Sequence, residues 1–328
     1  MMNYRKLGKT NINISEISLG TWQLGTRWGD PFDPKEARKI LDTAFDHGIN
    51  FIDTADIYID GLSEKAIGGF LKDHKDEVYV ATKCGRGLNS HNAAGYNEKN
   101  IRGFVEASLT NMGVEKLDLI QLHCPPTEVY SMPEAFAALD QLKQEGKILN
   151  YGVSVERVDE GLKALEHKNL ATIQIIFNMF RHKPADALFE QAQQADVGII
   201  ARVPLASGLL TGKFNPQSTF GKDDHRSNNR NGEMFDKGET FSGVDYDKGL
   251  EAIEVIKGIL GTEELAPYAL RWILMFDAIS TVIPGASRAE QVLSNVQAGS
   301  LPAYTAEQMN AVKAVYIQYI KDSVHSMW

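Results

Sequence analysis

Short apolar runs alternate with longer runs of helical period along most of this chain. The apolar runs are Ile17 to Trp22, Phe51 to Ala55, Val78 to Ala81, Leu117 to Leu122, Tyr151 to Val155, Ile173 to Phe177, Val197 to Pro204 and Thr281 to Pro284. Each is short enough for a buried strand and too short for an independent helix. Between them the period lengthens. Ile101, Phe104, Val105, Ser108, Leu109 and Met112 fall on one helical face within Asn97 to Met112. A helix also opens at Asp33-Pro34-Lys35-Glu36, with Asp33 as N-cap, Pro34 at the first turn, Glu36 closing a capping box and Gly48 at the far end. Further helices are expected over Ser63 to Asp73, Pro133 to Gln144, Asp159 to His167, Ala185 to Ala195 and through Gln291 to Val296. Ahead of all this, two short alternating runs flank Gly8-Lys9-Thr10-Asn11, a hairpin signal.

Eight strands with helices between most of them predict parallel pairing and a (β/α)8 TIM barrel, an α/β fold, as a single domain over residues 1–328. An open doubly wound sheet is the other fold this alternation permits. One stretch breaks the rhythm: Thr211 to Asp247 has no apolar period and is polar throughout Gly221 to Gly232. It follows strand seven, so it reads either as a solvated insertion or as a lid over a bound cofactor, and the lid is preferred.

Composition narrows the function. The net charge of −9 argues against nucleic acid or an acidic membrane as partner, and 43% apolar residues suffice for a large core. The two cysteines, Cys84 and Cys124, form no disulfide framework, and Met1 to Asn11 has no apolar stretch of signal-peptide length. With no run long enough to span a membrane, a cytoplasmic protein acting on a small molecule is expected.

Four polar residues stand at, or just beyond, the ends of different strands: Asp53, Tyr58, Lys83 and His123. In a parallel barrel the strand ends converge on one face, where chemistry is done. Alone, each has an ordinary explanation: a helix cap, a loop aromatic, a structural ion pair, a core histidine. Together they form a proton-transfer device. A phenol is a poor acid near neutrality unless a cation stabilises its phenolate; Lys83 could supply that cation, Asp53 could hold it, and His123 could hydrogen-bond a substrate oxygen. Carbonyl reduction needs such a device, with the hydride coming from a nicotinamide cofactor. No G-x-G-x-x-G follows a strand, so a cofactor would lie across the barrel mouth. Ser287 and Arg288, at a helix start after strand eight, suit a phosphate group there. Cys84, Cys124 and His123 could be imagined as a zinc site. Adjacent strand residues face opposite ways, however, and no metal is expected.

These residues resemble the aldo-keto reductase family over nearly the whole chain. The resemblance is carried by Gly48 to Tyr58, Ala81-Thr82-Lys83, Asp118 to His123, Tyr151 to Ser154 and Val282 to Gly285. The branch it resembles includes bacterial general-stress reductases and potassium-channel β subunits. It implies a catalytic tetrad of Asp53, Tyr58, Lys83 and His123, with Tyr58 as general acid. It implies cofactor contacts at Thr21, Trp22 and Asp53, and carboxamide contacts at Ser154 and Gln174. The family's usual Asn after that serine is Val155 here, and Arg202 stands where a Tyr often stacks on the nicotinamide. Pro204 and Leu205 follow Arg202 among the implied cofactor contacts, and the loop Ser207 to Lys213, with Ser207, Gly208, Leu209, Thr211 and Lys213, resembles the diphosphate-binding stretch. Arg288, Gln291 and Asn295 match the adenosine end, with Ser287 beside them; Gly285 stands where many members have a Lys, and Arg288 could take the 2′-phosphate instead, which favours NADP (NADPH). Trp22, Trp28, Tyr58 and His123 are the substrate-facing candidates. The implied function is NADPH-dependent reduction of small aldehydes or ketones by a monomer or weak oligomer. An NADP-binding redox sensor with slow turnover and a lyase using Lys83 as Schiff-base nucleophile are the alternatives. An ion-paired, protonated Lys83 disfavours the lyase.

Overall fold

The computed structural model describes residues 2–27, 29–74 and 77–328. The chain opens on the expected hairpin, β1 (Tyr4–Lys6) and β2 (Asn13–Ser15), paired antiparallel through a turn in which Asn11 is left-handed at φ 62°. Strands and helices then alternate: β3 (Leu19–Gly20), α1 (Pro34–Asp46), β4 (Phe51–Asp53), α2 (Leu62–His74), β5 (Tyr79–Cys84), α3 (Glu98–Met112), β6 (Leu117–His123), α4 (Pro133–Gln144), β7 (Ile148–Ser154), α5 (Val158–Ala164) and β8 (Thr172–Ile176). After these come α6 (Lys183–Ala187), α7 (Phe189–Gln194), β9 (Gly198–Arg202), α8 (His225–Asn228), α9 (Tyr246–Leu260), α10 (Leu265–Ile273), β10 (Ile279–Val282), α11 (Ala289–Val296), α12 (Ala306–Val315) and α13 (Lys321–Val324).

Strands β3 to β10 form one eight-stranded sheet in sequence order, every neighbouring pair parallel. Its edges meet. The Ser18 N–H donates to the Val282 carbonyl at 2.9 Å, Val282 N–H to Glu16 at 3.0 Å, and Gly20 N–H to Pro284 at 3.0 Å. Gly20 permits this approach, because a Cβ there would lie 2.9 Å from the Ile283 carbonyl oxygen. The closed sheet is the TIM barrel that the alternation predicts. Among the described residues no helix is long and apolar enough to cross a membrane.

The period of two along each strand separates two cores. Outward-facing Ile52, Val80, Ile120, Leu122, Ile173, Ile175, Ile199 and Ala201 pack with the helices in the large core. Inward-facing Phe51, Ala81, Leu119, Ile200 and Ile283 form a smaller cluster with Leu7 and Ile14 of the hairpin. The hairpin therefore plugs the bottom of the barrel, and the opposite end remains for the site.

Several expected boundaries move. The last strand begins at Ile279 and ends at Val282. The helix expected over Ala185 to Ala195 is two short helices, α6 and α7, broken at Leu188, whose side chain is fully buried. Asp33 caps α1, accepting from the Lys35 and Glu36 N–H groups, but the capping box is not closed: the Asp33 N–H donates to the Gly25 carbonyl at 2.7 Å instead. The segment after β9 is not solvated throughout. Asn229 is fully buried, and its Oδ1 accepts from the Met234 and Phe235 N–H groups at 2.8 and 2.9 Å. Arg226 lies over Phe220 (4.6 Å), and Arg230 over Phe241 (5.2 Å) and Tyr246 (5.1 Å). The polar residues of this segment hold one another and a few aromatic rings in place of an apolar stripe.

Candidate active site

Two residues above the inward apolar layer, the same period of two places polar side chains. Phe51 leads to Asp53, Ala81 to Lys83, Leu119 to Gln121 and His123, and Ile200 to Arg202. Asp53, Lys83 and His123 are 2%, 1% and 4% exposed, so their charges and hydrogen bonds must be met within the protein. The Lys83 ammonium donates to Asp53 Oδ1 at 2.5 Å, to the Thr54 carbonyl at 2.8 Å and to Tyr58 Oη at 3.4 Å. Asp53 Oδ2 accepts from Gln174 Nε2 at 2.7 Å and Gln121 Nε2 at 3.4 Å. Deleting either partner of the Lys83–Asp53 pair would strand a buried charge, at a cost of about 3–5 kcal/mol. The His123 ring meets the Tyr58 ring edge-on at 6.0 Å between centroids.

Burial and charge set the protonation states. Burial alone would lower the Lys83 pKa, but Asp53 and Tyr58 outweigh it and the net shift is upward. Lys83 is therefore a fixed cation. Burial raises the Tyr58 pKa above its ordinary value, and Lys83 counters it only in part. The sequence reading had Lys83 lowering the phenol; here burial wins, because Asp53 and Glu239 also act against the phenolate. Burial first, then the charges of Arg86, Lys83 and Arg202, hold His123 well below its ordinary value, so its ring is neutral near pH 7. Its Nδ1 is buried with no partner among the described residues.

One cleft joins these groups to most of the other residues singled out by sequence. Thr21, Trp22, Asp53, Tyr58, His123, Ser154 and Gln174 line one end of it. Arg202, Pro204, Leu205, Ser207, Gly208 and Thr211 line one wall, and Gly285 and Gln291 the other. Lys83 lies behind Asp53 and Tyr58 and not on the surface of the cleft. Leu209 is fully buried with its side chain in the large core, Asn295 is buried on α11, and neither side chain lines the cleft. Lys213 and Arg288 are exposed outside the lining, and Ser287 binds Gln291 Oε1 through its N–H at 2.7 Å. Trp28 lies outside the described residues.

Sequence reasoning missed a ring of charge at the mouth. Arg86 meets Glu239 at 3.4 Å and Glu156 at 3.5 Å. Arg202 meets Glu239 at 3.0 Å and Glu156 at 3.7 Å, and it also donates to the Val155 carbonyl at 3.0 Å. Arg202 is thus an anchored ion-pair member, not a freely stacking plane. Burial, then the Glu239 charge, pushes the Glu156 carboxyl up to about 8, and its Oε2 has no hydrogen-bond partner among the described residues. Burial opposes ionisation of Glu239 as well, but Arg202 and Arg86 outweigh it and hold its pKa down. Cys124, Glu156 and Glu239 lie close enough to resemble a metal-ligand set. The two guanidinium groups already supply cations there, and burial pushes the Cys124 thiol up to about 12. Glu239, Phe235, His225 and Arg226 come to the cleft from the segment after β9. Trp328 reaches that segment too, donating from Nε1 to Asp236 Oδ1 at 2.9 Å beneath the Arg181 guanidinium.

The lining of the cleft suits a dinucleotide in its chemistry. It runs from Tyr58 and His123 to the Ser207–Thr211 loop on one wall and to Gly285 and Gln291 on the other. A Cβ on Gly285 would meet nothing nearer than 3.9 Å, so the rim there is open to a ligand. Ser154 and Gln174 offer a hydroxyl and an amide beside Asp53, with which the carboxamide of a nicotinamide could bond.

Comparisons with known proteins bear on the family and the fold. The profile of the Aldo/keto reductase family matches residues 16–317. An uncharacterized oxidoreductase of Bacillus subtilis (strain 168), YqkF, is 31% identical over 95% of this chain and 96% of its own. A probable voltage-gated potassium channel subunit beta of Arabidopsis thaliana is 28% identical over 90% of this chain and 91% of its own. Among solved structures, the holo form of the aldo-keto reductase AKR11C1 from Bacillus halodurans superposes with a TM-score of 0.79. That structure is 28% identical, with 96% of each chain covered.

Proposed function

The chain belongs to the aldo/keto reductase family, and from that premise we propose that it reduces small aldehydes or ketones to alcohols with NADPH, Tyr58 being the general acid. The observation that carries the reading is the Lys83 ammonium held between Asp53 Oδ1 and Tyr58 Oη, just beneath the floor of the cleft. NADPH, when bound, supplies the hydride. Tyr58 Oη gives its proton to the substrate oxygen as negative charge grows there. Lys83 stabilises the phenolate left behind, and Asp53 keeps Lys83 charged and aimed. The neutral His123 ring offers a hydrogen bond to the same oxygen without carrying a competing charge. Trp22 and Tyr58, with ring centroids 6.5 Å apart, provide an aromatic wall for the rest of the substrate.

Ser154 and Gln174 would hold the carboxamide, and the loop Ser207 to Thr211 the diphosphate. Arg288 is exposed at the N-terminus of α11 and makes no ion pair among the described residues, which suits it to a 2′-phosphate.

The test is a fluorescence titration with NADPH and NADH, followed by absorbance at the nicotinamide band once an aldehyde is added. Tight NADPH binding with oxidation on addition is the expected result. The likeness to a channel subunit favours one other reading, a cofactor-binding regulator. Tight binding with no oxidation across a broad set of carbonyls would select it.

A further inference from the structure

Three arginines line the cleft, and they are not equally engaged. Arg226 holds Asp224 through Nε at 2.9 Å and Nη2 at 2.5 Å, a complete two-pronged pair. Arg202 has Glu239 at 3.0 Å and the Val155 carbonyl at 3.0 Å, and its side chain is 8% exposed. Arg86 is different. Its contacts with Glu239 and Glu156 are at 3.4 and 3.5 Å, long for charge-assisted bonds, and its side chain is 23% exposed.

Arg86 also lines the same cleft as Tyr58 and His123. It lies three residues beyond Lys83, just after β5, with its guanidinium 5.9 Å from the centre of the Phe235 ring. Its charge is felt at His123, which places it within electrostatic range of the reacting oxygen's site. The ring of two arginines and two glutamates is formally neutral, and burial raises the Glu156 carboxyl, which tips the balance of charge there towards positive.

We propose that Arg86 is a specificity-determining residue that selects carbonyl substrates carrying an anionic group, a carboxylate or a phosphate, at the end remote from the carbonyl. The anion takes over the loosely held face of the guanidinium, while Glu239 remains with Arg202. Guanidinium geometry suits both kinds of oxyanion, so the two sources are separated by experiment. This inference rests on the reductase reading above.

The test uses substrate pairs that differ at the charged end: 4-oxobutanoate against butanal, and glyceraldehyde 3-phosphate against glyceraldehyde. Each is reduced with NADPH by the wild type, Arg86→Gln and Arg86→Lys. The ratio of kcat/KM for the anionic over the neutral partner is expected to fall about 10- to 100-fold in Arg86→Gln. Arg86→Lys should recover part of it. The pair that responds identifies carboxylate or phosphate. An unchanged ratio in both pairs, with neutral aldehydes still reduced, overturns the proposal and leaves the reductase reading standing. If the wild type reduces none of the four, the reductase reading fails, and titration calorimetry with succinate and inorganic phosphate decides the anion site separately. Binding by the wild type that is lost in Arg86→Gln would sustain the site, and no binding would overturn it.

Discussion

Gln174 Nε2 donates to Asp53 Oδ2 at 2.7 Å, across the barrel interior from β8 to β4. The bond gives Gln174 a second task beyond the carboxamide contact expected of it. Its amide nitrogen fixes the carboxylate that fixes Lys83, and its amide oxygen remains for a ligand in the cleft. Gln174→Ala leaves Asp53 Oδ2 with Gln121 alone, at 3.4 Å. Loss of one hydrogen bond to a buried charge should cost about 1–3 kcal/mol of stability. Denaturant unfolding measures it, and NADPH should bind more weakly in the same variant. A variant as stable as the wild type would remove Gln174 from the support of Asp53.

Tyr58→Phe tests the acid directly. Removing a positioned general acid should lower kcat by about 10²- to 10⁴-fold. Cofactor binding should survive, because the aromatic ring and its neighbours are kept. The pH profile has a definite sign. The folded-state Tyr58 pKa lies above its ordinary value, with burial as the main cause. Reduction needs the protonated phenol, so kcat should show no alkaline fall below about pH 10. A fall centred near pH 7 would assign the proton to another group.

Arg288→Ala should weaken NADPH about 10- to 100-fold, the worth of a charge-assisted contact, while NADH binding changes little. The two dissociation constants, read from the same fluorescence titration, decide between a 2′-phosphate contact and a general phosphate contact. Equal losses for both cofactors would favour the latter.

The strand–helix alternation made the barrel legible, because a parallel sheet covered on both faces leaves short, continuous apolar runs. The polar floor was legible too, since a charged residue such as Lys83 at a strand tip has no packing explanation. Other features were readable but went unread. Gly249, Ala252, Ile253 and Ile256 recur at helical spacing and form the buried face of α9. The ring of charge was not readable. Arg86, Glu156, Arg202 and Glu239 come from four separate segments, and nothing local in the sequence ties one to another. The internal order of the segment after β9 was not readable for a related reason. Its order depends on Asn229 and on arginine–aromatic stacking, so it carries no apolar period to detect.

The charge ring also couples stability to pH, and Glu156 sets the sign. Its carboxyl is pushed up to about 8 in the folded protein by burial and by Glu239, from an ordinary 4.5. The folded state therefore binds more protons than the unfolded state across that window, and stability falls as pH rises through it. The favourable contribution is fully present below the unfolded value and is lost as pH climbs towards 8. Glu156→Gln keeps the shape and removes the titration. The melting temperature of the wild type should drop relative to Glu156→Gln between about pH 5 and pH 8. Parallel curves for the two proteins would mean that Glu156 stays ionised throughout, with Arg86 and Arg202 outweighing its burial. That result would also remove the positive balance of charge assigned to the mouth of the cleft.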